Sequence, residues 1–318
     1  MGKKQVEQLA KKFGYLEYMI ERYLALFGSE TEEFLEGNEK TLAKTIRCNE
    51  LVTTPVELEE RLVTKGFELE PIQGLPYALQ VKTGRLPIGA TTEYLLGHYM
   101  LQSPASMWAV EALKPQGMEL VADLCAAPGG KTTLIAHLME NQGVVLATDI
   151  SRSRIRALRS NISRMQVENT LVMRMDAANL SEMGFVADAV LLDAPCTGEG
   201  LIPLDPTRKR SRTLKDIVTL TAVQRKLITA ASKLLREGGI LVYSTCSFAP
   251  EENEEIIDYA LQHCPLKVID TGLPIGDPGF SAPLNQSLDE TLARARRLYP
   301  YKHHMEGYFI CKLEKVAS

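Results

Sequence analysis

Five apolar runs in succession end on an aspartate or a cysteine: VADLC at Cys125, VVLATD at Asp149, LVMRMD at Asp176, AVLLD at Asp193 and ILVYSTC at Cys246. Helix-forming stretches separate them, and strands alternating with helices make a mostly parallel sheet covered on both faces. In an open sheet of that kind the polar strand ends emerge together on the carboxyl edge, where ligands bind at the switch in strand order. One aspartate there means little, because Asp commonly caps the next helix. Five in a row ask for more than capping. The pattern predicts seven strands, at Glu119–Leu124, Val144–Asp149, Thr170–Asp176, Ala187–Asp193, Ile240–Cys246, Leu266–Asp270 and Gly307–Leu313, with helices at Thr132–Asn141, Ser151–Arg164, Leu214–Arg236 and Glu251–His263.

The first hundred residues follow a different rule. From Gln5 to Phe27, apolar residues at Val6, Leu9, Phe13, Leu16, Ile20, Leu24 and Phe27 mark one buried helical face. Ser29 with Glu32 reads as a capping box opening a second helix. Thr54-Pro55-Val56-Glu57 opens a third, and Gly66 stops it. Extended runs at Thr45–Leu51 and Tyr77–Lys82 flank that helix, which predicts a small α+β domain. The expected division is residues 1–103 and 104–318, with an irregular loop from Gly272 to Ser287.

At 45% hydrophobic and 24% charged residues the chain reads as an ordinary globular protein. The opening MGKKQVEQLA has no apolar core of a secretory signal, and Val6 stands where a myristoylation signal needs Ser or Thr. No apolar run approaches the ~18 residues of a membrane span. A cytoplasmic protein without a membrane partner is therefore expected. The six cysteines include no C-x-x-C pair and the five histidines no H-E-x-x-H, so free thiols and no metal are expected. A net charge of −4 leaves nucleic-acid contact to local patches. Three stretches qualify: Arg152–Arg164, Arg208–Lys215, and Arg294–Arg297 with Lys302, His303 and His304.

The turn after the first of the five strand ends, CAAPGGKTT, resembles a phosphate loop with one glycine missing. Five places before Gly130 stands Cys125, where G-x-x-x-x-G-K-[ST] requires glycine. Asp149 lies 19 positions after Gly130 and ends the next strand, where an acid accepts from ribose hydroxyls. With Asp176 placed to accept from an adenine amino group, the set suits an adenosyl ligand better than a dinucleotide. An ATPase reading leaves Cys196 and Cys246 without a role. Two thiols at the carboxyl edge, beside Asp193 and an adenosyl pocket, point to thiol chemistry on a methyl acceptor. C5 of cytosine is too electron-poor to attack a methyl sulfonium, and a thiolate adding to C6 activates it.

RCNEL, QSPASM, DLCAAPGGKT, LLDAPCTGEG, STCSFAPEENE and the closing R-x-x-P-x-x-H-x-x-x-G-Y-F together resemble the Nop2/Sun family of RNA cytosine-5 methyltransferases, from about Arg47 onward. The resemblance implies a Rossmann-like S-adenosylmethionine-dependent methyltransferase domain preceded by a small RNA-binding domain. It implies Cys246 as nucleophile, Cys196 as the thiol assisting release, and Asp193 at the base and beside the methyl donor. Contacts to S-adenosyl-L-methionine are implied for Cys125, Ala126, Ala127, Pro128, Gly129, Gly130, Lys131, Asp149, Arg154, Asp176 and Asp193. The stretch RKRSRTLKDI resembles that of the shorter archaeal-type tRNA enzymes, so tRNA is the first expected RNA partner and rRNA the second; no segment indicates a partner protein. The alternative is an RNA-binding protein without catalysis. Thr197 and Tyr308 stand where many members have Ser and Phe, and neither is expected to touch the thiol chemistry.

Overall fold

The computed structural model describes residues 3–317, so Met1 and Gly2 of the opening segment lie outside the described residues. Three helices come first: α1 (Lys3–Phe13), α2 (Glu17–Phe27) and α3 (Thr31–Glu39). The apolar face expected across Gln5–Phe27 exists but is broken at Gly14, whose φ of 78° ends α1. The Ser29–Glu32 capping box does not form. A 3-10 turn at Gly28–Glu30 runs straight into α3, and Glu30, at the cap position, has helical backbone angles where a cap needs extended ones. These helices bury Met19, Ile20, Tyr23, Phe34 and Leu35 against Ile202, Phe248, Tyr299 and Tyr301 from much later in the chain.

A β-α-β-β-α-β unit follows: β1 (Thr45–Cys48), α4 (Pro55–Thr64), β2 (Glu68–Ile72), β3 (Leu75–Thr83), α5 (Thr92–Leu95) and β4 (Tyr99–Leu101). Its strands are ordered β2-β3-β1-β4 and every neighbour is antiparallel. The start signal at Thr54 is realised in full: Thr54 accepts from the Glu57 amide, Glu57 accepts from the Thr54 amide, and Pro55 fills the first turn.

The rest comprises α6 (Pro104–Leu113), β5 (Leu120–Leu124), α7 (Gly130–Leu138), β6 (Val144–Asp149), α8 (Arg152–Arg164), β7 (Thr170–Arg174), β8 (Ala187–Asp193), α9 (Arg208–Ser211), α10 (Leu214–Leu234), β9 (Leu235–Thr245), α11 (Glu254–His263), β10 (Leu266–Ile269), β11 (Asp277–Pro278), β12 (Arg296–Leu298), α12 (Pro300–His303) and β13 (Tyr308–Lys315). The sheet runs β11-β12-β13-β9-β8-β5-β6-β7, with β10 also on β13. Pairs from β7 through β9 are parallel, whereas β13 joins β9 antiparallel. All seven expected strands are present, and the short β11 and β12 extend the sheet to nine. The expected helix from Glu251 starts as a 3-10 turn and is interrupted at Asn253, whose side chain bonds Thr245 and the Ser247 carbonyl instead. The order reverses between β5 and β8, so the crevice opens at their carboxyl ends, beside Cys125 and Asp193. Among the described residues no helix is long and apolar enough to cross a membrane.

Candidate active site

The strand ends do converge. Cys125, Asp149, Arg154, Asp176, Asp193, Cys196 and Cys246 line one cavity of about 560 Å³. Ala126, Ala127, Pro128, Gly130 and Lys131 line an adjoining one of about 380 Å³ that shares Cys125 and Asp193. Gly129 lines neither. Its φ is 105°, and a Cβ there would lie 2.8 Å from Leu158 on α8, so it serves the turn and the close approach of that helix. Arg47, fully buried on β1, donates to the Gly130 carbonyl at 3.0 Å and to Thr133 at 2.8 Å, tying the small sheet to the glycine turn.

The adenosyl reading fits this turn. One oxygen of Asp149 accepts from the Ser151 amide at 2.8 Å, while the other is buried without a hydrogen-bond partner, with Arg154 Nη1 at 3.3 Å. Arg154 also donates to the Ala127 carbonyl. Asp176 caps the next turn through the Ala178 amide at 3.0 Å, and still borders the cavity with Ile150 and Met175, two apolar side chains suited to a flat ring. The phosphate-loop reading fails on two residues. Lys131 is committed to Asp193 at 2.8 Å, and Thr132, fully buried, donates to Asp123 at 2.6 Å where a nucleotide's metal would need its hydroxyl.

The sulfur atoms of Cys196 and Cys246 are 3.4 Å apart. Hydrogen bonding to Cys246 and burial push the Cys196 thiol well up. Glu252 sets the spacing: it accepts from the Thr197 amide at 2.9 Å, the Thr197 hydroxyl at 2.5 Å, Ser247 at 2.5 Å and Gln224 at 3.2 Å. One buried carboxylate thus joins the loop that follows β8 to the loop that follows β9. Asp193 accepts from Lys131 on one oxygen and from Ser244 and Tyr308 on the other. Burial opposes the Lys131 charge, but Asp193, Asp123 and Cys246 overcome it and raise its pKa.

Thr197 and Tyr308 therefore both lie at the site, Thr197 on Glu252 and Tyr308 on Asp193. Glu252, Ser244 and Tyr308 were missed as site residues; Ser244, near the end of β9 and two positions before Cys246, stands among the strand-end residues that the sequence exposes, whereas Tyr308 arrives by sheet pairing. The basic patches divide. Arg208 and Arg212 line the cavity and donate to the Thr197 carbonyl at 3.1 and 3.0 Å, while Lys209 and Arg210 tie down the end of α1 through Phe13 and Gly14. The third patch is structural: Arg294 bonds the Val268 carbonyl, Arg297 is buried on Glu254, and Lys302 pairs with Asp277. In the first, Arg164 bonds the Tyr94 and Tyr99 carbonyls, and Arg152, Arg156 and Arg159 are exposed.

Two buried carboxylates make stability pH-dependent. Burial pushes Asp123 up to about 7 and Glu199 up to about 7. Folding then favours their protonated forms, so their contribution is complete below the unfolded carboxyl range and is lost as pH rises through about 7. Denaturant unfolding at a series of pH values is expected to show stability falling by a few kcal/mol between roughly pH 4.5 and 7.5. Asp123→Asn with Glu199→Gln is expected to flatten that slope; an unchanged slope would contradict the assignment.

Residues 110–314 match the family model described as 16S rRNA methyltransferase RsmB/F, and residues 16–87 match the ferredoxin-like domain of RsmF/B-like methyltransferases. A 28S rRNA (cytosine-C(5))-methyltransferase of Mus musculus is 40% identical over 318 residues, which is 98% of this chain and 40% of that protein. The tRNA (cytosine(72)-C(5))-methyltransferase of Pyrococcus horikoshii is 38% identical over 250 residues, 78% of this chain and 61% of that one. The chain therefore spans less than two thirds of either relative's length. The crystal structure of a methyltransferase homolog protein from Pyrococcus horikoshii superposes with a TM-score of 0.90 at 35% identity, covering 99% of this chain and 100% of that one. Cys125, Asp193, Cys196 and Cys246 all fall inside the matched span, and the chain belongs to the RsmB/F methyltransferase family, the Nop2/Sun family that its motifs resemble.

Proposed function

We propose that this chain methylates C5 of a cytosine in RNA, using S-adenosyl-L-methionine and a covalent Cys246–C6 adduct. The observation that carries the reading is the pair of sulfurs 3.4 Å apart in a cavity that also holds Asp193 and continues to Asp149 and Asp176. When bound, S-adenosylmethionine supplies an electrophilic methyl group. Asp149 would hold the ribose through its unpartnered oxygen, Asp176 the adenine, and Cys125 through Lys131 the remainder, with Arg154 closing over Asp149. Cys246 adds to C6 of the base and makes C5 nucleophilic, while Asp193 contacts the base edge. C5 then takes the methyl group, its proton passes to a base or to water, the C–H electrons re-form the C5–C6 double bond, and Cys246 leaves as the thiolate that entered, with the Cys196 thiol 3.4 Å away to donate to it.

Residues 1–103 serve as the RNA-binding part and 104–318 as the catalytic part in this reading. A cytosine within structured RNA must be flipped out, at a cost of a few kcal/mol; Arg208 and Arg212 border the cavity it would enter. The motif resemblance favours tRNA, with rRNA second, and relatives named for each RNA support a substrate of that class. The test is incubation with bulk tRNA and, separately, rRNA, using a methyl-labelled donor. Labelled 5-methylcytidine in either RNA is the expected result. Cofactor binding without label in either would favour the non-catalytic RNA-binding reading; binding of ATP with Mg²⁺ but not of S-adenosylhomocysteine would overturn the cofactor assignment.

A further inference from the structure

The run Arg208–Arg212 faces two ways. Lys209 and Arg210 turn toward the N-terminal helices. Lys209 donates to the Phe13 carbonyl at 3.0 Å and pairs with Glu39, Arg210 donates to the Gly14 carbonyl at 3.1 Å, and the Leu16 amide donates to the Lys209 carbonyl at 3.2 Å. Arg208 and Arg212, four positions apart, border the cavity instead. The Tyr18 hydroxyl on α2 donates to the Arg212 carbonyl at 2.9 Å, so the turn between α1 and α2 seats the backbone that carries both arginines. Arg208 Nη1 and Arg212 Nε share one acceptor, the Thr197 carbonyl, at 3.1 and 3.0 Å. Among the described residues nothing accepts from Arg208 Nη2 or from either Arg212 Nη. Arg208 Nε is buried without a hydrogen bond, although Asp205 lies 3.2 Å from it. Two permanent cations thus meet at a neutral oxygen with donors to spare. Gly198 admits them to the site: a side chain there would displace the Arg208 guanidinium, and its Cβ would lie 3.7 Å from the Cys246 sulfur.

We propose that Arg208 and Arg212 grip the phosphate on the 5′ side of the flipped cytidine, so that the N-terminal helices act on RNA through this arginine pair. The proposal rests on the C5-methylation reading above, because it takes Cys246 as the atom that bonds C6. In the usual anti conformation C6 is the ring atom nearest the nucleotide's own 5′ phosphate. Bonding C6 to Cys246 therefore brings that phosphate to the flank of the sulfur where Arg208 lies. Guanidinium forks match phosphate oxygens in shape and charge. A phosphate there takes up donors that the protein leaves idle, and it fixes the register of the strand without reading its sequence. Holding the target nucleotide by its own phosphate also favours the flipped state, which otherwise costs a few kcal/mol.

The test uses the RNA that takes up the methyl label, made with either an ordinary phosphate or an uncharged methylphosphonate 5′ of the target cytidine. Both RNAs carry a 2′-deoxy sugar on the preceding nucleotide, which protects the uncharged linkage from attack. Wild type is compared with the double variant Arg208→Met with Arg212→Met, which keeps apolar stems and removes the donors. On ordinary RNA the double variant is expected to bind roughly tenfold more weakly, the equivalent of a charge-assisted contact at a partly exposed site. Its slope of log affinity against log salt should become shallower by about one, since one phosphate fewer is neutralised. The methylphosphonate should weaken wild type by a similar factor and cost the double variant little more, because the two changes remove the two halves of one contact. Moved to the 3′ side of the cytidine, the uncharged linkage should affect both proteins alike. Losses that simply add would overturn the proposal. So would unchanged affinity and salt slope with slower methyl transfer on both RNAs, which would assign the arginines to the base or to the Cys246 sulfur. A wild type that forms no 5-methylcytidine in any RNA would instead overturn the C5 reading, and this inference with it.

Discussion

Cys246→Ala is expected to abolish methyl transfer, by about 10⁴-fold or more in turnover, whereas Cys196→Ala is expected to accumulate RNA covalently attached to the protein. The asymmetry follows from how the two thiols are held, since 3.4 Å between them gives both access to one base. Cys196 sits in the loop after Asp193, and hydrogen bonding to Cys246 and burial push its thiol up, which suits a group acting after the nucleophile has bonded. Cys246 follows β9, and the Gly200 amide fixes its carbonyl at 2.8 Å. A Cβ at Gly198 would lie 3.7 Å from the Cys246 sulfur and closer still to Nη1 of Arg208, so the missing side chain lets the Arg208 guanidinium lie on that flank. The measurement is a denaturing gel of labelled RNA alongside methyl incorporation. An adduct in Cys246→Ala and none in Cys196→Ala would reverse the two roles.

The catalytic half of this arrangement was legible because its signals are local. A polar residue at the end of an apolar run tells where a strand stops and which edge it reaches, and Cys125, Asp149, Asp176, Asp193 and Cys246 all obeyed that rule. Helix α6 escaped for the opposite reason. Ala105, Met107, Trp108, Ala109, Val110, Ala112 and Leu113 are all buried, so no polar face gives the sequence a helical period. The basic run at Arg294–Arg297 misled because charge count does not reveal burial: Arg297 is 1% exposed and satisfied from within. Tyr308 lies 115 positions from Asp193, and only the antiparallel pairing of β13 on β9 makes them neighbours. Glu252 belonged to a motif already singled out, but its task of joining two loops appears only when both loops are in space.

The largest loss of stability is expected from Glu254→Ala. Arg297 donates from Nε at 2.6 Å and from Nη2 at 2.5 Å to the two Glu254 oxygens, and from Nη1 to the Phe248 carbonyl at 3.2 Å. Both side chains are inaccessible, at 1% and 0% exposure, and Glu254 also accepts from the Phe280 amide. Removing the carboxylate leaves a guanidinium without a counter-charge in a dry setting, which costs about 3–5 kcal/mol. Replacing both partners, as Glu254→Leu with Arg297→Met, is expected to cost much less, because neither charge is then buried alone. Denaturant unfolding checks this directly: equal losses in the single and double variants would mean that packing around the pair matters more than its charges. The consequence should reach the active site as well. Arg297 anchors the carbonyl of Phe248, two residues beyond Cys246, and Phe248 is the ring that α1–α3 pack against. Under conditions where Glu254→Ala remains folded, its methyl transfer is therefore expected to fall further than its folded fraction accounts for, since the Arg297 guanidinium that seats the loop carrying Cys246 has lost the carboxylate that holds it.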